Sequence, residues 1–167
     1  AEELMKTDDR LSPERNPMPF DGARMIYGGF EPLLDDGAPV PGGYVQGFIV
    51  PVPEGNRDVY RQMASAMWDI TRDYGASRVV EAWQDDVPAG KRTDFFRSVK
   101  AEPGEIVVFS FIEWPSREVC DASHEKIMQD ERMKTFMEQN PDAKPPFDGK
   151  RMVYGAFRPV VELGEPA

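Results

Sequence analysis

The sequence holds one cysteine, Cys120, and one histidine, His124. A single thiol excludes an internal disulfide and any multi-cysteine zinc site. No run approaches the roughly 18 apolar residues of a membrane-crossing helix. The opening AEELMKTDDR lacks the basic flank and apolar stretch of a secretory signal, so the expected setting is cytoplasmic. Positive charge is also in short supply, with 20 Lys and Arg against 30 Asp and Glu, for a net charge of -10. Nucleic acids and anionic membranes recruit proteins through Lys and Arg, so neither is an expected partner. P-loop, Rossmann glycine fingerprint, nucleophile elbow and zinc motif are all missing.

What is present is a chain of 167 residues, 40% of them hydrophobic, which is enough for about one domain with a real core. Its 16 prolines form no tract and act as punctuation between elements. The chain also contains a partial copy of itself. PMPFDGARMIYGGFEP (17–32) matches PPFDGKRMVYGAFRP (145–159), with Phe20 on Phe147 at an offset of 127. LMKTDDRL (4–11) resembles IMQDERM (127–133) with small gaps. Residues 1–34 therefore read as the second half of a unit, helix plus strand. Residues 35–43, DDGAPVPGG, read as a linker, and 44–163 as a complete unit.

Within that unit, 44–52 is an apolar, β-branched run closed by prolines, which predicts a strand. A helix is expected from about residue 54, with Val59, Tyr60, Met63, Met67, Ile70 and Tyr74 on one stripe and Gly75 at its C-terminal cap. Strands follow at 77–83 and 105–114, separated by a loop over 85–104 with a short helix at 94–101. A second helix opens at Pro115-Ser116 and turns Val119, Cys120, Ile127 and Met128 inward, with Met133, Phe136 and Met137 continuing a more broken face. A fourth strand is expected at 150–163. The order βαββαβ is the ferredoxin-like α+β arrangement, a four-stranded antiparallel sheet with both helices on one face. The strands do not alternate as a sheet with one wet face does: between 106 and 112 only Ser110 is polar, and between 45 and 50 only Gln46. The face away from the helices must be covered too. A second sheet is the natural cover, as in a dimeric α+β barrel, and the expected partner is a homo-oligomer made by sheet-to-sheet packing.

YVQGFIVPVPEGN (44–56), YGASRVVEAWQDDVPAGKRTDF (74–95), VVFSFIEWPSRE (107–118) and PFDGKRMVYGAFRP (146–159) resemble the YbaA-like family, domain of unknown function 1428. The resemblance implies a dimeric α+β barrel of one unit per chain, and it implies no reaction. Relatives in the wider superfamily include cofactor-independent monooxygenases with small substrates in a cavity between sheet and helices.

Candidate site residues are few. His124 is the one side chain suited to a general base, and i,i+4 spacing predicts that it shares a helix face with Cys120. Two ligands make no metal site, so no metal and no cofactor are expected. Trp83 and Asp85 end one strand, Trp114 ends another, and Arg97 lies in the long loop between them; with Tyr154 these are the candidate ligand-binding residues. The same tryptophans suit an oligomer interface equally well. Gln46, Ser110 and Tyr154 share strand parity and are expected to project to one face. Asp148-Gly149, like Asp21-Gly22, reads as a turn with Asp bonding its own backbone. The expected function is a binding and assembly module. The alternative is a cofactor-independent enzyme, of monooxygenase or isomerase type, acting on a small aromatic molecule in the barrel cavity.

The partial copy creates a competition. Residues 24–33 and 150–161 are both candidates for the sheet edge beside 44–52. The C-terminal segment is expected to win, because it has Gly155-Ala156 where its rival has Gly28-Gly29, and a strand glycine costs about 0.5–1 kcal/mol. The N-terminal segment is then expected on a neighbouring molecule or beside the second strand.

Overall fold

The structure is a computed structural model that describes residues 15, 17, 19–138 and 146–163. The strands and α-helices among the described residues are β1 (Gly29–Gly37), β2 (Tyr44–Pro53), α1 (Arg57–Asp73), β3 (Arg78–Asp86), α2 (Phe95–Ser98), β4 (Glu105–Trp114), α3 (Arg117–Gln129), α4 (Glu131–Glu138) and β5 (Val153–Phe157). The helix expected over 4–11 lies outside the described residues, as do the side chains of Phe136 and Met137.

The two apolar runs, β2 and β4, pair antiparallel along their whole length, from Tyr44 opposite Trp114 to Pro53 opposite Glu105. Pro51 fits in the middle of this ladder for a geometric reason. Its partner Val107 turns its N–H toward β3, where the Gln84 side-chain oxygen accepts it at 2.9 Å. The Pro51–Val107 pair thus exchanges no ladder bond, and a residue without an N–H is tolerated. The whole sheet is antiparallel, in the order β1-β3-β4-β2-β5. Its last four strands, β3-β4-β2-β5, are the ferredoxin-like arrangement expected from the sequence.

The N-terminal segment adds a fifth strand in one of the two places expected for it, beside the second strand of the unit. The C-terminal strand does take the edge beside β2, but only as Val153–Phe157, and 158–163 leave the sheet. The N-terminal strand takes the opposite edge, beside β3. It runs to Gly37, three residues into the stretch that composition marks as linker. Those polar residues have strand partners. The Asp35 carboxylate accepts two hydrogen bonds from the Arg78 guanidinium, both 3.0 Å long, and Asp36 accepts the Trp68 indole N–H at 2.7 Å.

The matching segments fold alike at their turns. Asp21 accepts the Ala23 N–H and pairs with Arg24, and Asp148 accepts the Lys150 N–H and pairs with Arg151, all at 3.0 Å. Each turn is a single 3-10 turn, Gly22–Arg24 and Gly149–Arg151. Arg151 goes further and forks onto both Glu105 oxygens at 2.6 Å, which fixes the approach of β5 to the start of β4.

One face of the sheet carries α1 and α3. The inward line of α1 is Tyr60, Ala64, Trp68 and Thr71 with Ile70, rotated from the stripe expected from its larger residues, and Val59 is 55% exposed. The helix ends at Gly75, with φ +102, where a β-carbon would approach Val119 Cγ1 to 2.9 Å. In α3, Ser116 caps the first turn, and Cys120 and Ser123 are the buried positions, while Met128 is 57% exposed.

Gly37 ends β1 at φ +89, and a β-carbon there would lie 2.2 Å from the Ser77 carbonyl oxygen. Gly37→Ala is expected to destabilise the protein by about 2 kcal/mol in urea unfolding, because both the backbone conformation and the close approach demand glycine. Gly42→Ala, at φ +70 with open space around it, should cost clearly less.

Candidate functional site

Register assigns every strand residue to a face. One transverse row runs Tyr154–Phe48–Ser110–Glu81–Leu34, on the helix side. On the other side run Val153–Ile49–Phe109–Ala82–Pro32, then Gly155–Gly47–Phe111–Val80–Asp35, then Phe157–Val45–Glu113–Arg78–Gly37. The open face is therefore apolar across its middle and charged at one end, where Arg78 holds Asp35 and lies 3.4 Å from Glu113. Its other end is closed by α2, whose Phe95 and following Val99 cover Val107. Phe30 from β1 joins Phe95 and Phe109 there, with ring centroids 5.0 and 5.8 Å away.

Between these ends lies an apolar trough of about 520 Å³, with Val45, Ile49, Phe109, Phe111, Val153 and Phe157 along it. Gly47 and Gly155 face each other in its floor, and the Phe157 ring lies over both, 3.6 and 3.2 Å from where their β-carbons would stand. Phe109 is 37% exposed, Val153 42% and Phe157 60%.

The helix side holds a different chemistry. Glu81 is buried, accepts the Tyr60 hydroxyl at 2.9 Å and is also hydrogen-bonded by Ser110. Burial pushes the Glu81 carboxyl above its ordinary range, and the two hydrogen bonds only partly offset that. Burial and the adjacent Glu81 charge push the Tyr60 hydroxyl well above its own. The sequence reading passed over this pair. A lone carboxylate inside the apolar run RVVEAW was the available signal.

The residues singled out from the sequence do not converge. Trp83 is buried on the helix side against Tyr60 and Arg57, and Trp114 is buried in another cluster with Trp68 and Cys120. Trp114 donates its indole N–H to Gln46 at 2.9 Å. Both tryptophans face the helices, away from the open face where a second sheet would pack. Asp85 is exposed at the end of β3. Arg97, on α2, pairs with the buried Asp94, whose carboxylate also caps α2 and bonds the Gly90 N–H. Tyr154 is 72% exposed and stacks on Phe48 at the β5 edge, on the same side as Gln46 and Ser110. His124 is exposed on α3, whereas Cys120 is buried, its thiol raised by burial. The expected shared face fails because the inward line passes through Ser123, which hides its hydroxyl by donating to the Cys120 carbonyl at 2.7 Å. Among the described residues, no group of three or more His, Cys, Asp or Glu is arranged to hold a metal ion. No described helix is long and apolar enough to cross a membrane.

The family described as "Protein of unknown function (DUF1428)" matches residues 43–149. The uncharacterised protein YbaA of Escherichia coli K12 is 51% identical over 119 residues, which cover 71% of this chain and 97% of that protein. The chain belongs to the DUF1428 family. YbaA proteins of Escherichia coli O157:H7 and Shigella flexneri match to the same extent, 51% over 119 residues. Among solved structures, a major regulator of staphylococcal pathogenesis is similar with a TM-score of 0.42 at 8% identity, over 85% of this chain and 76% of that one.

The Glu81 site generates a pH prediction. Its folded pKa lies above the unfolded value, so the folded state holds the proton more tightly. That contribution is fully present below the unfolded pKa and is lost as pH rises through the folded one. Glu81→Gln is expected to be at least as stable as the unmodified protein at pH 7 and to flatten the decline in stability from mildly acidic to neutral pH. Glu81→Ala, which strands the Tyr60 and Ser110 hydroxyls, should cost about 1–3 kcal/mol. Chemical unfolding followed across that pH range checks both.

Proposed function

We propose that this protein is an assembly and binding module that packs the open face of its sheet against the same face of a second unit. The observation that supports this is the contiguous apolar trough over the central strands, with Phe109, Val153 and Phe157 left partly exposed in the single chain. Scattered exposed apolar residues are ordinary, but a continuous patch rimmed by charge marks an interaction surface. Here the rim is the Asp35–Arg78–Glu113 cluster at one end, and the Phe157 ring, laid over Gly47 and Gly155, adds apolar surface to the floor. Burial at about 25 cal/mol per Å² would make this the main source of association free energy.

The enzymatic alternative, action on a small aromatic molecule, has less support. The trough suits an apolar ring in shape, and a small apolar molecule held between two such faces is the ligand class it favours. Yet among the described residues its ionisable lining is limited to Tyr154 and Arg158, with no carboxylate and no imidazole. Glu81 and Tyr60, whose proton affinities burial raises, are on the opposite side of the sheet and are hydrogen-bonded to each other.

Phe109→Asp and Phe157→Asp, alone and together, test the reading by sedimentation velocity. The unmodified chain is expected to sediment at twice its 18.9 kDa mass, and the double variant as a monomer with unchanged circular dichroism. A monomeric unmodified chain at tens of micromolar, or a double variant that associates as before, contradicts it.

A further inference from the structure

Residues 158–163 are the C-terminal counterpart of β1. The offset of 127 that aligns Phe20 with Phe147 places Glu-Pro-Leu-Leu-Asp-Asp (31–36) on Arg-Pro-Val-Val-Glu-Leu (158–163). Both segments leave the same Asp-capped turn. Their fates then differ. The first adds to β3, with Pro32 opposite Ala82, Leu34 opposite Glu81 and Asp35 opposite Val80, while Leu33 and Leu34 pack on the core. The second joins no strand, and its Val160, Val161 and Leu163 are 96%, 71% and 92% exposed.

We infer that 158–163 is a donor strand for the β3-type edge of a second βαββαβ unit, entering the place that β1 fills on this chain's own β3. The Glu162 carboxylate accepts the Gly42 N–H at 3.0 and 3.1 Å, but Val160, Val161 and Leu163 are left in water, and β1 demonstrates which edge accepts this sequence pattern. The described residues hold one β3 edge and two donor segments, β1 and 158–163. One donor is satisfied in cis, at the high effective concentration that a covalent connection gives. A second copy with its own β1 in place offers no vacancy. The fitting partner is thus a unit whose β3 edge is bare, such as a one-unit relative: the 119 matched residues fill 97% of YbaA and leave no room for a β1 segment. Strand addition supplies main-chain hydrogen bonds, and the alternate side chains supply selectivity. The proposal goes beyond the assembly reading, because it names a different partner and a different surface, the sheet edge.

Two forms of the full chain, both Cys120→Ser, test it. The donor carries Glu162→Cys. The acceptor carries Val80→Cys, with β1 either intact or released by Leu33→Asp and Leu34→Asp. Register puts position 162 of the donor opposite position 80 of the acceptor, as Asp35 is opposite Val80 within the chain. Under mild oxidation the mixed disulfide should form at least tenfold more with the released acceptor than with the intact one. No increase with an acceptor that keeps its near-ultraviolet circular dichroism overturns the proposal, and so does equal cross-linking to both. Should the released acceptor lose that signal, native mass spectrometry with YbaA of Escherichia coli K12 decides. A one-to-one complex that disappears with Val160→Asp and Val161→Asp supports strand donation. No complex, or one indifferent to those changes, refutes it. Phe109→Asp separates the two surfaces, since it weakens face packing without altering the register of the cross-link.

Discussion

A sheet whose strands are apolar on both parities must be covered on both faces, and every large feature of this molecule answers to that constraint. On one side the cover is internal: α1 and α3 bring Tyr60, Trp68 and Cys120 down onto Val50, Val52, Val79 and Trp114. On the other side the chain supplies only part of a lid, the short α2 with Phe95 and Val99 and the inserted ring of Phe30. The remaining rows, centred on Ile49, Phe109, Phe111 and Phe157, are apolar and incompletely covered. Under the proposed assembly, association would complete a layer that the chain leaves unfinished.

The N-terminal segment modifies this scheme at the edge rather than at the face. Free sheet edges invite pairing with other chains, and β1 closes one of them from within. Its anchoring is polar as well as apolar. Asp35 is gripped by Arg78, and Asp36 takes the Trp68 N–H, a bond that holds the Asp36 carboxyl below its usual range. Gly37 then lets the chain pass within contact distance of Ser77. The C-terminal counterpart has leucine where β1 has Asp36 and glutamate where it has Asp35, so on a β3-type edge it would offer a carboxylate to the Arg78 position and an apolar residue opposite Val79.

Much of this was legible in the residues. The apolar runs of β2 and β4 announced both the strands and the need for cover on each face, and the two Asp-Gly turns formed with the expected side-chain bonds. Which parity faced the helices was not legible, because Val79, Glu81 and Trp83 alternate with Val80 and Ala82 and both sets are largely apolar. That ambiguity misdirected the reading of Trp83 and Trp114. The phase of α3 was hidden by Ser123, a polar residue that is buried with its hydrogen bond made locally. The reach of β1 was hidden by Asp35-Asp36-Gly37, which is loop-like in composition and becomes strand only through partners distant in sequence.

Whether the open face is sealed in solution is the decisive question, and residue-level footprinting with a photoactivated carbene answers it on the unmodified protein. Phe157 and Met128 are almost equally exposed in the single chain, at 60% and 57%, but only Phe157 belongs to the open face. Phe157 and Phe109 should be labelled far less at high protein concentration than after dilution, while Met128 on α3 is labelled equally at both. Labelling of Phe157 that matches Met128 and does not change with concentration would contradict a sealed face.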